Sequence, residues 1–177
     1  MVRIPLSGKR GAGLAALVDD DDVATVSRHR WYLNRTTRAG RDNGPYAQAS
    51  VWVIGANRTI LMHCLIMGRR GIDHANGDGL DNRRANLRVA TQAQNGANTG
   101  KRTRNNRGAA PSSPYKGVYW QRRKPPRRGH WVAKIGTGNG RQRYLGSFAS
   151  QEAAARAYDT AAAEAFGEFA RLNFPAH

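Results

Sequence analysis

Cysteine is almost absent from this 177-residue chain: Cys64 stands alone, which excludes an intrachain disulfide framework and a cysteine-based zinc site and implies a reducing compartment. Acidic residues are scarce as well. There are 12 Asp and Glu against 29 Lys and Arg, and a formal net charge of +17 implies a polyanionic partner. Long apolar runs are missing too. The N-terminus reads Met-Val-Arg-Ile-Pro with no stretch behind it long enough for a signal peptide or a membrane span, so a cytoplasmic or nucleoid-associated protein with no membrane partner is expected. No internal repeat relates the two halves, and the length allows one ordinary domain or two small ones.

The charge that is present is unevenly spread. Residues 101–143 hold thirteen basic residues and no acid, interleaved with Tyr115, Tyr119, Trp120 and Trp131, which a disordered basic tail would not carry. A folded nucleic-acid-binding module is expected there. Near the N-terminus Asp19, Asp20, Asp21 and Asp22 form the one acidic cluster, best explained as N-cap and first-turn charges of a helix over about Asp21 to His29. Short strand-like runs, Arg3 to Leu6, Leu14 to Val18 and Tyr46 to Val53, fill the rest of residues 1–59. A short apolar segment, Ile60 to Met67, then leads into a polar loop.

Residues 100–114 lack apolar periodicity and are rich in Gly, Pro, Ser and Arg, which reads as a basic linker able to lie along a phosphate backbone. Three strand-like runs follow, Tyr115 to Gln121, His130 to Ile135 and Gln142 to Phe148. In the second, Trp131, Ala133 and Ile135 alternate with His130, Val132 and Lys134, as in a sheet packed on one face and open on the other. The cover is an Ala-rich helix from about Ser150 to Phe166, with an apolar stripe of Ala153, Ala154, Ala157, Tyr158, Ala161, Ala162, Ala165 and Phe166.

The richest chemistry lies in Asp73-His74-Ala75-Asn76-Gly77-Asp78-Gly79-Leu80-Asp81-Asn82-Arg83-Arg84-Ala85-Asn86-Leu87-Arg88, followed by Gln94-Asn95. Phosphodiester cleavage needs an activated water, a cation against the developing charge, and groups that hold both in line. His74 can accept a proton near neutral pH. Asp73 and Asn95 offer the hard oxygen ligands that Mg²⁺ prefers. Adjacent strand residues point to opposite faces, so Asp73 and His74 serve one site only if the strand ends there, and Asn76-Gly77-Asp78-Gly79 supplies the turn. His63 beside Cys64 lacks further soft ligands at useful spacing. It is expected to be a satisfied, semi-buried histidine, with a secondary role at the site as the sharper alternative.

Residues 60–99, through Met62-His63, Asp73-His74-Ala75-Asn76-Gly77, Leu80 to Arg88 and Gln94-Asn95-Gly96-Ala97-Asn98, resemble the HNH homing endonucleases of phages and introns. The resemblance implies a ββα-metal fold around one divalent ion, Mg²⁺ or else Mn²⁺. It makes His74 the general base, Asp73 and Asn95 the metal ligands, and Asn86 the residue that fixes the loop and orients the histidine. The third HNH position is Asn95 rather than His, which suits hard Mg²⁺ better than zinc. Asp81, Asn82, Arg83 and Arg84 are expected to shape the loop and bind backbone phosphates rather than do chemistry.

Residues 115–175 resemble the AP2/ERF DNA-binding domain through Tyr115-Lys116-Gly117-Val118-Tyr119, Trp131 to Ile135, Tyr144-Leu145-Gly146-Ser147-Phe148, Glu152 to Asp159 and Leu172-Asn173-Phe174-Pro175. That family lays a three-stranded sheet in the major groove, and its base-contact positions fall here on Lys116, Tyr119, Gln121, Lys134, Gln142 and Tyr144. Between the first two strands a basic hairpin with Arg122, Arg123, Lys124, Arg127 and Arg128 is expected to clamp phosphates. Trp120 and Trp131 are expected in the core.

The expected protein is α+β: an HNH nuclease domain over 1–99 (a β-rich region 1–59 and the ββα-metal motif 60–99), a linker over 100–114, and a three-stranded antiparallel sheet packed on one helix over 115–175. Its expected activity is Mg²⁺-dependent nicking of double-stranded DNA by a monomer or weak dimer, without a small-molecule cofactor, in a bacterial host's cytoplasm if phage-encoded. The rival is a non-catalytic DNA-binding regulator that keeps the nuclease segment as scaffold. An RNA-directed protein fits a groove-reading sheet poorly.

Overall fold

The computed structural model describes residues 1–34, 37–38, 41–42, 44–101, 110–122, 129–138 and 140–175. It is α+β with antiparallel sheets, as expected, and forms two compact units. One is Met1–Thr37 with Asp42–Ala90, and the other is Thr91–His177 with Arg38–Arg41.

In the first unit β1 (Val2–Pro5) pairs with β2 (Ala15–Val18), and a 3-10 turn at Asp20–Asp22 runs into α1 (Val23–Val26). A three-stranded sheet follows, with β3 (Tyr32–Asn34) and β7 (Ala56–Leu61) on either side of β6 (Tyr46–Val53). Two short strands, β4 (Thr37–Arg38) and β5 (Arg41–Asp42), pair apart from it. Along β6 the period of two is kept: Ala47 and Ala49 are buried against Val18, Val26, Trp31 and Met62, while Gln48 and Ser50 are not. Trp31 completes its burial by donating from Nε1 to the Val26 carbonyl at 2.8 Å. After β7 come α2 (Met62–Ile66), β8 (Ile72–His74), a 3-10 turn at Arg84–Asn86 and β9 (Leu87–Val89), which pairs with β8.

The expected Asp21 to His29 helix is only one turn long, because Val23, Thr25 and Val26 are poor helix formers and Ser27 closes the turn. The aspartates cap nothing with their side chains. Instead Asp22 is buried in a two-pronged ion pair with Arg84 (2.9 and 2.7 Å), Asp19 accepts from the Arg84 backbone N–H at 2.8 Å, and Asp20 meets the N-terminal ammonium. The acidic cluster is therefore a tie across the fold rather than a helix cap.

The second unit holds α3 (Gln92–Asn98), the sheet β10 (Val118–Gln121), β11 (His130–Gly138) and β12 (Arg141–Phe148), and α4 (Gln151–Phe166). Ser150 caps α4 as expected, accepting from the Ala153 N–H at 3.1 Å. The buried stripe of α4 is rotated from the expected one: Ala154, Ala155, Tyr158, Asp159, Ala161 and Ala162 face inward, whereas Ala153 and Ala165 are exposed. Asp159 turns the helix. Its carboxylate takes the backbone N–H groups of Asn173 and Phe174 (2.8 and 2.9 Å) and the Asn173 amide (2.9 Å), fastening the C-terminal segment. Gly117, at φ 76°, lets the chain pass against the Tyr158 ring, where a Cβ would overlap it.

Two further expectations change here. Val132, assigned to the open face, is buried between Tyr119 and Ser147 of the flanking strands. Trp120 is half exposed, edge-on to Trp131 with ring centres 4.9 Å apart. The helix α3, in the expected nuclease segment, groups by its packing with the second unit. Lys116 Nζ caps its C-terminus, donating to the carbonyls of Gly96 (3.3 Å), Ala97 and Thr99 (2.6 Å), and the Arg171 N–H donates to Ala97 at 3.2 Å.

Candidate nuclease site and DNA-facing sheet

Strand β8 ends at His74, and the chain turns at once, with the Gly77 N–H donating to the His74 carbonyl at 2.8 Å. The strand end required for Asp73 and His74 to serve one site is thus present, and both side chains are buried. The loop that follows is over-determined. Asn86 accepts from the Asn76 N–H at 3.0 Å, donates to the Asp81 carbonyl at 2.8 Å and takes the Ala75 N–H on its own carbonyl at 2.9 Å. Asp81, held well below the usual carboxylate range chiefly by Arg83, bonds that guanidinium at 2.7 Å from both oxygens and the Asn76 amide at 2.9 Å.

Asn82, expected to shape the loop, is fully buried and also faces the histidine. Its amide donates to the Leu80 carbonyl at 3.1 Å, which turns Oδ1 toward His74 Nε2 at 3.4 Å. In the tautomer in which Nε2 donates to Asn82 Oδ1, the ring lone pair lies on Nδ1. Burial pushes the His74 pKa down, against the Asn82 bond and the charges of Asp73, Asp78 and Asp81, so the ring is neutral and basic near neutral pH.

Two more rings wall the histidine. His63 stands edge-on to His74 with ring centres 4.7 Å apart, and Tyr46 lies 5.5 Å from His63 and 5.6 Å from His74. Gly79 makes room for Tyr46, since a Cβ there would overlap its ring and the Pro45 carbonyl. His63 differs from the satisfied histidine expected: among the described residues its buried Nδ1 has no hydrogen-bond partner. Desolvation, with His74 beside it, takes its pKa down to about 4. No sequence signal pointed to Tyr46, far upstream on β6.

Asp73 receives Arg88 Nε and Nη2 on one oxygen, at 3.1 and 3.0 Å. Among the described residues no group of three or more His, Cys, Asp or Glu side chains could hold a metal by itself. The donor chemistry that is present, one carboxylate and carboxamide oxygens, fits a hard divalent cation that completes its shell with water and phosphate oxygens. Asn95 is exposed on α3, in the second unit, behind a Thr91–Gln94 capping box. Arg83 and Arg84 are committed to Asp81 and Asp22, while their side chains stay about half exposed.

On the second unit's sheet, register puts Tyr119 and Gln121 on the face shared by Lys134, Gln142 and Tyr144, all partly or wholly exposed. Lys101 Nζ sits 5.2 Å from the centre of the Tyr119 ring. A groove of about 1360 Å³ lies beside α3, lined by Lys101, Tyr119, Lys134, Arg141 and Gln142 together with Tyr158 and Phe166 of α4. Lys116 departs from its expected base-contact role. Burial and Arg171 lower its pKa to about 8, and its ammonium is spent on α3. Arg122 is exposed, whereas Arg123, Lys124, Arg127 and Arg128, like most of the linker, lie outside the described residues.

Residues 71–97 match the family model for HNH endonucleases. An ethylene-responsive transcription factor of Arabidopsis thaliana is 51% identical over 63 residues, and an AP2-like ethylene-responsive transcription factor of the same plant is 45% identical over 69. These matches cover 35% and 36% of this chain but only 32% and 23% of the plant proteins. No solved structure gives a significant match. An uncharacterised HNH endonuclease of Acanthamoeba polyphaga mimivirus is 30% identical over 166 residues, 93% of this chain and 77% of the viral one. A likeness sustained over that length, with the family model matching at residues 71–97, means that the chain belongs to the HNH endonuclease family.

Proposed function

We propose that the chain is a metal-dependent DNA endonuclease of the homing type that nicks one strand, its first unit cutting and its second unit reading DNA as an AP2-like sheet. The observation that carries the cutting role is the buried His74 at the strand end, walled by Tyr46 and His63 and facing Asn82 Oδ1. In the tautomer with the hydrogen on Nε2, Nδ1 is the atom that takes a proton from water. Asp73 is the carboxylate ligand for Mg²⁺, held in place by Arg88. Asn95 is assigned as the carboxamide ligand by resemblance. A divalent cation bound there supplies Lewis-acid stabilisation of the charge that develops on the phosphate. Asn86 acts at one remove, by holding the loop that follows the base. Because one histidine serves one phosphodiester, a single copy breaks one strand per encounter.

Lys134, Gln142, Tyr144, Tyr119 and Gln121 are the proposed base-facing set, with Arg122 and the basic segments beside it on phosphates. The test is conversion of supercoiled plasmid to nicked circle in Mg²⁺, by wild type and His74→Ala side by side, with binding read by gel shift. The variant should bind normally and nick about 10²- to 10⁴-fold more slowly, and EDTA should stop the wild type. Equal inactivity of both proteins on DNA that they bind tightly would make the non-catalytic regulator the better description.

A further inference from the structure

The sheet of the first unit ends in a two-residue hairpin whose tip carries Trp52, Val53 and Ile54, exposed at 73%, 46% and 98%. Folding does not ask for these residues. Ile54 and Gly55 form the turn at φ 41° and 74°, with Val53 and Ala56 as the last strand pair. Positive φ at both positions is the geometry that favours Asn-Gly and disfavours a β-branched side chain. At 98% exposure Ile54 gains no packing in return. The hairpin also springs from the candidate site itself: Tyr46, at its root, packs on His63 and His74, and β7 runs directly into the helix that bears His63. From Gly44 to Ile72 the chain carries Arg58, Arg69 and Arg70 and no acidic residue.

We propose that this tip is a wedge that enters the base stack of duplex DNA held at the histidine site, an inference that rests on the endonuclease function above. Apolar side chains inserted between base steps unstack and kink a duplex, and they do so at the end of an element that follows the groove. An apolar knob of three residues is small for a protein interface, and Arg58, paired with Val51 just behind the tip, suits a polyanion. The span from Tyr46 to Val53 fixes the reach. Eight residues of strand cover about 23 Å, or about seven base pairs of duplex, so the kink lies about that far from the cut.

The test uses the full chain without Mg²⁺, so that it stands apart from cleavage. A duplex chosen by footprinting carries 2-aminopurine at successive steps, and unstacking is read as fluorescence with wild type, Ile54→Asn and Trp52→Thr. Wild type should raise the signal severalfold at one step. Ile54→Asn should abolish that rise and weaken binding about tenfold, while raising Tm by on the order of 2–4 °C because asparagine suits the turn. Trp52→Thr should lose the rise with little change in Tm. An equal rise with all three proteins overturns the wedge, as does a change in sedimentation state on Ile54→Asn with the fluorescence intact, which would assign the tip to a protein contact. Loss of nicking by wild type with the rise intact would remove the endonuclease reading and leave the wedge.

Discussion

The histidine loop of the first unit and the open sheet face of the second are both polar, and under the proposed function both meet DNA, yet they are organised in opposite ways. In the loop almost every polar group is spoken for: Asn86, Asp81, Asn82 and Asn76 bond one another or nearby backbone, and Asp73 and His74 sit buried at the strand end. On the sheet, Gln121, Gln142 and Tyr144 stand exposed, and the Tyr144 hydroxyl is hydrogen-bonded to that of Ser147 at 2.7 Å. The difference follows from the tasks. Moving a proton requires groups fixed to fractions of an ångström before substrate arrives, whereas reading base edges requires donors and acceptors whose bonds are still to be made.

That contrast can be broken from either side. The largest effect is expected from Gly117→Ala in the second unit, where a Cβ would overlap the Tyr158 ring at a φ of 76°. A loss of about 3–4 kcal/mol is expected, with faster hydrogen exchange in β10, β11 and α4 and unchanged exchange in β8 and β9. Equal loosening of both units would mean that they do not respond separately. Next comes Asn86→Ala, which strands the Asn76 N–H and the Asp81 carbonyl. About 2–3 kcal/mol of stability should disappear in urea titrations, and nicking should fall with DNA affinity nearly intact. A variant that nicks at the wild-type rate would show that the loop needs no such staple. Smallest is Lys134→Ala on the sheet face. It should leave Tm within a degree or so and weaken DNA binding by about 1 kcal/mol, roughly fivefold, measured by fluorescence anisotropy at fixed salt. A fall in Tm as large as that of Asn86→Ala would mark Lys134 as structural.

Local signals carried far in this chain. The alternation along Tyr46 to Val53 marks a strand with the bounds of β6, and Ser150 ahead of an Ala-rich run marks the start of α4. The motif around Asp73, His74 and Asn86 describes a turn that Asn and Gly can make from their own side chains, so its geometry was legible before any tertiary contact was known. The rotation of α4 was not, because an alanine-rich helix has several nearly equivalent apolar stripes and Asp159 chose among them by reaching the C-terminal segment. Nor was the fate of Lys116, where a helix end offered three carbonyls that no local pattern announces.

By itself, then, the sequence determined the chemistry available: a histidine next to a carboxylate, carboxamides at motif spacing, an excess of positive charge, and strands and a helix whose periods are local properties of the chain. Tertiary structure alone decided which groups meet. Tyr46 reached the histidines, Asp22 met Arg84 from 62 positions away, and Asn82 turned its oxygen on His74. Such pairings depend on how separate elements pack, and burial makes them decisive, since a polar group taken out of water must find its partner wherever the fold brings one.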